Sequence, residues 1–291
     1  MKNKLLGVSR GSQYSPNHIG NDAAIFELAV EYLRKKGYEV NLCSENEFLE
    51  KSIIEEDFIF NMARDKKSIE RLQEQEDLGK MVINSAYGIT NCTREKMTTL
   101  LIDAHIPHPK SVIVDTANPD LAALKTLGDK CWLKRGDFHA IHREDVSFSR
   151  NQEVAENILR EYSLRGITRA VVNAHLEGDL LKFYGVEGTD FFYWFYPNES
   201  SHSKFGLEKI NGFSQGIPFD LSYLQQICNK AASTLNIQIY GGDCVVGYDG
   251  NMKIIDFNDW PSFAPCRQSA APYIAECISN KVMEYKHALI L

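Results

Sequence analysis

Two aspartates and an asparagine near the end of the chain carry the strongest chemical signal in the sequence. Asp249-Gly250 lies between two strand-like runs, 238–248 and 252–258, and an Asp-Gly pair so placed specifies a two-residue hairpin turn. That turn sets Tyr248 opposite Asn251, Val245 opposite Ile254 and Asp243 opposite Asp256. Carboxylates directly across a strand pair start only ~4.5–5.5 Å apart and repel, so the pairing asks for a positive charge between them. Strand alternation puts Asn258 on the face of Asp256 and turns Ile255 and Phe257 toward a core. Two carboxylates and an amide oxygen are hard ligands, suited to magnesium held partly by protein and partly by substrate phosphates. Sliding the loop by two positions would pair Asp243 with Asn258 and keep the set, whereas a three-residue loop would break the pairing. On the local pattern alone, Asp243, Asp256 and Asp259 could also be solvated residues at strand ends.

Periodicity supplies the elements that must hold these residues. In the first ninety residues, strands at 5–8, 39–43, 57–61 and 81–83 alternate with helices at 22–36 and 66–77. That order implies a parallel sheet with helices on its faces, whose strand C-termini would meet a ligand. A second unit starts at Asn91. Thr93 caps a helix through Leu101, and Ile106-Pro107-His108-Pro109 stops it. Strands at 111–114, 131–134 and 170–172 and helices at 120–127 and 153–164 follow. The last third has strands at 180–186 and 191–196 joined by Glu187-Gly188, a long polar stretch at 197–218, a helix at 221–235, the hairpin, and a closing helix at 272–291. The expected organisation is therefore 1–90, 91–172 and 173–291.

Composition narrows the function. At roughly 100–200 residues per domain, 291 residues make two or three packed units. With 44% hydrophobic and 24% charged residues the chain is neither disordered, collagenous nor a coiled coil. Lys and Arg total 32 against 39 Asp and Glu, a net charge of -7, which argues against nucleic acid or an anionic membrane as partner. No apolar run approaches ~18 residues and no signal-type segment follows Met1, so a cytoplasmic location is expected. Seven cysteines without a CxxC pair read as small buried hydrophobes, since the odd count disfavours disulfides and the spacing disfavours zinc. The absence of a Gly-x-x-x-x-Gly-Lys-Ser/Thr loop speaks against a P-loop nucleotidase.

Several segments together resemble the ATP-grasp superfamily, in the right order. Asp243 followed by Asp256-Phe257-Asn258-Asp259-Trp260-Pro261 is similar to the family's magnesium segment. Arg94-Glu95-Lys96-Met97 before Ile106-Pro107-His108-Pro109 resembles its first nucleotide lysine and the junction after it, and Trp132-Leu133-Lys134 resembles the strand of its second. Asn173-Ala174-His175-Leu176-Glu177-Gly178 sits where the family's adenine hinge lies, and Leu181-Lys182-Phe183 resembles the strand that bears a basic residue in several members. The resemblance implies an α/β and α+β molecule: an ATP-grasp fold, with ATP gripped between two subdomains behind a Rossmann-like N-terminal domain. It implies ATP and Mg as cofactors, with Asp243, Asp256 and Asn258 on the metal. Lys96, Lys134, Asn173, His175, Leu176, Glu177 and Lys182 would hold the nucleotide, with Glu177 or Asp179 at the ribose. Lys96 could also be no more than part of a solvated helix face.

The implied activity is a carboxylate-amine ligase. ATP phosphorylates an amino acid or small peptide-like acid, and an amine displaces phosphate from the acyl phosphate, so the partners are a small-molecule acid and an amine. Alternatives sharing the fold are a small-molecule kinase of the inositol-phosphate-kinase type and an ATP-binding regulatory module. A homodimer is one possible assembly. Many peptide-forming members carry an arginine two residues before the first metal aspartate; here that position is Gly241, and Arg267 could supply the charge instead, alongside Lys182 as a catalytic cation. The loop after the first strand offers Arg10 to clamp a carboxylate, with Asn17, His18, Asn21 and Asp22 to read an amino-acid head group, or to cap the next helix. The loop at 135–143 has a single glycine, and His139, Arg135 or Arg143 there could touch phosphate or belong to a plain polar loop.

Overall fold

The computed structural model describes residues 4–14, 19–137, 143–197, 210 and 212–288. Its strands gather into three four-stranded sheets. The first is parallel throughout, in the order β2-β1-β3-β4, with β1 (Lys4–Ser9), β2 (Glu39–Ser44), β3 (Phe58–Asn61) and β4 (Met81–Ile83). Parallel neighbours need crossovers, and these are α1 (Ile19–Lys35), α2 (Glu45–Glu50) and α3 (Lys66–Asp77). The capping box of Ser44 and Glu47 starts α2, and the Asp65 side chain starts α3 by accepting from the Ser68 N–H. Two helices follow, α4 (Ala86–Asn91) and α5 (Arg94–Asp103).

The second sheet is antiparallel, ordered β5-β8-β6-β7, from β5 (Ser111–Asp115), β6 (Cys131–Arg135), β7 (Val146–Ser149) and β8 (Arg169–Ala174), backed by α6 (Leu121–Lys125) and α7 (Gln152–Leu164). The third, also antiparallel, is ordered β10-β9-β11-β12. It joins β9 (Asp179–Val186), β10 (Phe192–Phe195), β11 (Ile239–Val246) and β12 (Met252–Asp259), with α8 (Leu221–Leu235) beside it and α9 (Arg267–Ala288) closing the chain.

Packing crosses these boundaries twice. Met97 and Leu101 of α5, with Ile89 and Cys92, are buried with Phe183, Leu224, Ile254 and Phe257 in the core of the third sheet, although they precede the second sheet in sequence. Ile274, Ile278 and Val282 of α9 lie with Ile25, Phe26, Val30 and Phe60 in the core of the first. Trp260, directly after β12, is fully buried there beside Phe26 and Phe60, with ring centroids 5.9 and 6.2 Å away. Burying a side chain of this size contributes on the order of a few kcal/mol and anchors the end of β12 to the first sheet.

Periodicity did not reveal α2, α4 or β7, all six residues or fewer. The closing helix also begins at Arg267, five residues before Pro272, with Ala270 and Ala271 fully buried in the first core. Core packing thus keeps helix ahead of a proline that suits a first turn. All seven cysteines are free and buried, and no helix among the described residues is long and apolar enough to cross a membrane.

Candidate active site

The hairpin bearing the two acids has a longer turn than Asp249-Gly250 predicts. The Gly247 N–H donates to Asn251 O and the Gly250 N–H to Gly247 O, each at 2.8 Å. Tyr248, Asp249 and Gly250 therefore form a three-residue loop, with Gly250 at φ +76°, a left-handed position that glycine takes without strain. The register near the turn is corrected accordingly: Val246 faces Met252, Val245 faces Lys253 and Cys244 faces Ile254. A bulge then leaves Ile255 without a cross-strand partner and restores Asp243 opposite Asp256, with Gly241 opposite Asn258. The two one-residue departures cancel, and the carboxylate pair stands. On the other face Phe257 is fully buried, 5.2 Å from Tyr240 and 5.9 Å from Phe183 between ring centroids, which fixes the side on which β12 presents its acids.

Cations from three elements meet this pair. Lys182 lies opposite Asp243 on β9, and its Nζ is 2.9 Å from Asp243 Oδ1. Arg94, the first residue of α5, forms an ion pair with Asp256, its Nη1 2.7 Å from Oδ1 and its Nη2 donating to Oδ2 at 3.0 Å. The start of α5 is pinned to the second sheet. The Glu95 N–H donates to Gly136 O at 3.0 Å, and the Glu95 carboxylate pairs with Arg169 at 2.9 Å. Lys134 on β6 crosses the cleft and donates from Nζ to Ile255 O at 2.8 Å. The positive charge expected between the acids is thus divided among partners around them.

Burial, and then the Arg94 charge, lower the Lys134 ammonium to about 7 against the pull of Asp256 and Asp243. Burial opposes ionisation of Asp256, but Arg94, Lys134 and Lys182 outweigh it and hold that carboxyl below its usual range. Beside them, in the linker before β5, His108 places Nδ1 2.7 Å from Ile254 O. A carbonyl only accepts, so Nδ1 carries the proton. Burial, then the nearby Lys134 charge, bring this imidazole down to about 4, so it is neutral at pH 7.

The sequence matches no protein-family model, and no curated protein matches it. Solved structures do match. D-alanine–D-alanine ligase from Bacillus anthracis complexed with ATP superposes with a TM-score of 0.70 at 13% identity, over 98% of this chain and 99% of that one. D-cycloserine synthetase DcsG gives 0.63 at 13% identity over 95% and 99%. The ATP-grasp ligase PsnB, complexed with a minimal precursor, Mg and ADP, gives 0.62 at 15% over 97% and 98%. The chain has the ATP-grasp fold.

Of the expected nucleotide cations, Lys96 is exposed, while its neighbour Arg94, not among those expected, is buried against Asp256. The signal was present in the sequence: Met97 and Leu101 mark the buried stripe of α5, and Arg94 lies three residues before Met97 on that stripe, whereas Lys96 does not. At the hinge, Asn173 is buried and donates to Ser111 Oγ at 2.7 Å. His175 Nδ1 accepts from Trp132 Nε1 at 3.1 Å, and Phe148 lies edge-on to its ring at 5.2 Å. Leu176 is half-buried, and Glu177 is exposed and paired with Lys130 at 3.1 Å. Asp179 is buried and accepts from the Gln215 and Ile217 N–H groups at 2.7 and 2.8 Å.

A second charged group lies where the C-terminal edge of the first sheet meets the segment after β12. Arg10 pairs with Asp22 at 3.0 Å and donates to Met62 O at 3.1 Å and Trp260 O at 3.0 Å. Arg64 pairs with Asp259, and Arg267 donates to Asn21 at 2.8 Å. Arg267 therefore joins this seam and not the carboxylates of the hairpin. Gly241 has a steric reason to lack a side chain, since a Cβ there would sit 2.6 Å from the Tyr184 ring and 2.8 Å from Pro261. Asn17, His18, His139 and His142 lie outside the described residues. Among the described residues no three of His, Cys, Asp and Glu lie together as a metal site. A cation at the hairpin would instead have two carboxylates and the Asn258 amide, an oxygen-only set fitted to a hard divalent ion.

Proposed function

We propose that the protein is a Mg- and ATP-dependent carboxylate-amine ligase that forms an amide or peptide bond through an acyl phosphate. The observation that carries this reading is the convergence of Arg94, Lys134 and Lys182 on Asp243 and Asp256, in a fold shared with a ligase solved with ATP. Asp243, Asp256 and Asn258 would hold magnesium, which would supply positive charge against the phosphates.

The side chains of the protein account for the rest. The Lys134 ammonium donates to Ile255 O and the Lys182 ammonium pairs with Asp243, and an ammonium on a flexible stem can turn from such an oxygen to a phosphate oxygen. With its ammonium lowered to about 7, Lys134 gains a proton when an anion arrives. Moving the γ-phosphoryl group needs positioning and charge stabilisation, which this cluster supplies, and the attacking carboxylate is already an anion. Trp132, Phe148 and His175 offer a face for the base.

The test is ADP and phosphate release from Mg-ATP, screened against pooled amino acids, dipeptides and polyols with mass spectrometry of products. A joined product formed with loss of water, needing both acid and amine, is expected. A phosphorylated polyol without an amine requirement would make the protein a kinase, and tight ATP binding without turnover in every pool would make it a binding module.

A further inference from the structure

The bulge at Ile255 creates a problem that its neighbours solve. The bulge leaves Ile255 unpaired, and Ile254 of the edge strand β12, opposite Cys244, faces its N–H and C=O away from β11; a buried carbonyl without a donor is costly. At this bulge Ile254 O is taken by His108 Nδ1–H at 2.7 Å and Ile255 O by Lys134 Nζ at 2.8 Å. The Ile254 N–H completes the clamp by donating to Pro107 O at 2.9 Å. Neither donor belongs to the third sheet: one stands in the linker before β5, the other on β6. The bulge is also what returns Asp256 to its place opposite Asp243, since the three-residue turn alone would leave the acids out of register.

We propose that His108 is a positioning residue for Asp256: by donating Nδ1–H to Ile254 O it holds the bulge that aligns the metal-binding carboxylate. The inference rests on the nucleotide-site reading above and adds to it a residue outside the cation and carboxylate set. His108 Nε2 is buried and has no hydrogen-bond partner among the described residues. The ring is thus held through Nδ1, and the load falls on one hydrogen bond.

The experiment is titration of a fluorescent ATP analogue into wild type, His108→Phe and His108→Asn, in magnesium and in EDTA. Phe keeps the ring and removes the donor; Asn returns an N–H near the place of Nδ1. His108→Phe is expected to lose about tenfold of the magnesium-dependent affinity with its EDTA affinity unchanged, and His108→Asn to recover most of it. A folded His108→Phe that tightens on the nucleotide with magnesium as wild type does, while Asp256→Asn does not, would overturn the proposal and leave the site reading intact. If the wild type shows no magnesium-dependent tightening, both fall. Should His108→Phe fail to fold, ¹⁵N spectra of the wild-type histidines decide: a His108 ring protonated on Nδ1 at pH 7 is expected, and one protonated on Nε2 would overturn the proposal.

Discussion

The cleft and the seam are both built from buried opposite charges, yet they use different cations. At the seam the work is done by arginines. Arg10 alone spends its guanidinium on Asp22, Met62 O and Trp260 O, and Arg64 and Arg267 tie the β12 end and α9 to the first sheet. In the cleft, two of the three cations are lysines, Lys134 on Ile255 O and Lys182 on Asp243. A planar fork that binds several groups at once fixes a geometry, while an ammonium on a flexible stem can move from one oxygen to another. The seam therefore reads as architecture and the cleft as chemistry. Arg94 is the exception that helps define the rule, a buried arginine paired with Asp256 beside the two lysines.

If that contrast is right, neutralising an acid in the cleft should cost function. Asp256→Asn is expected to lose on the order of a hundredfold in magnesium-dependent nucleotide affinity by calorimetry. The seam should answer in the opposite way. Arg64→Ala leaves Asp259 buried without its guanidinium and should cost about 3–5 kcal/mol in urea unfolding, while the folded fraction keeps its nucleotide affinity. The double change Arg64→Met with Asp259→Leu should recover most of that loss, because the cost comes mainly from the stranded charge.

A finer test uses pH. Below about 7 Lys134 is protonated, and in the proposed function it would attract phosphate; above it the charge is lost. Wild-type nucleotide affinity should fall by up to about tenfold per pH unit as pH rises from 7 to 9, whereas Lys134→Arg, which stays charged, should show a flat profile. A sloping profile in that variant would assign the titration elsewhere. The smallest effect is expected at Lys96. Lys96→Ala should change stability by less than about 0.5 kcal/mol and leave nucleotide affinity unaltered, while Arg94→Gln lowers that affinity by about tenfold or more.

Local pattern carried much of the architecture. The alternation of strands and helices over the first ninety residues, and the strand-rich final third, agree with the parallel first sheet and the antiparallel third. The carboxylate pair was also legible, although by a two-residue turn that the chain does not make, because turn and bulge offset one another. Arg94 was readable from the buried stripe of α5, but a lysine two residues away matched the family pattern better. The seam was beyond reach: Arg64 and Asp259 are 195 positions apart, and no short-range spacing encodes which loop of the first sheet will meet the end of β12. Nor could composition say that position 241 is glycine because Tyr184 and Pro261 occupy the space of a side chain.

The placement of α9 has a consequence for how the molecule comes into being. The core on one side of the first sheet is completed by Ile274, Ile278 and Val282, so the segment made first cannot finish burying its apolar surface until residues beyond 270 have been synthesised. During translation that face of the parallel sheet is left waiting while two further sheets are assembled. A ribosome-bound chain halted after β12 should therefore bind hydrophobic dyes or chaperones through its oldest part, and release of α9 should be the event that closes it.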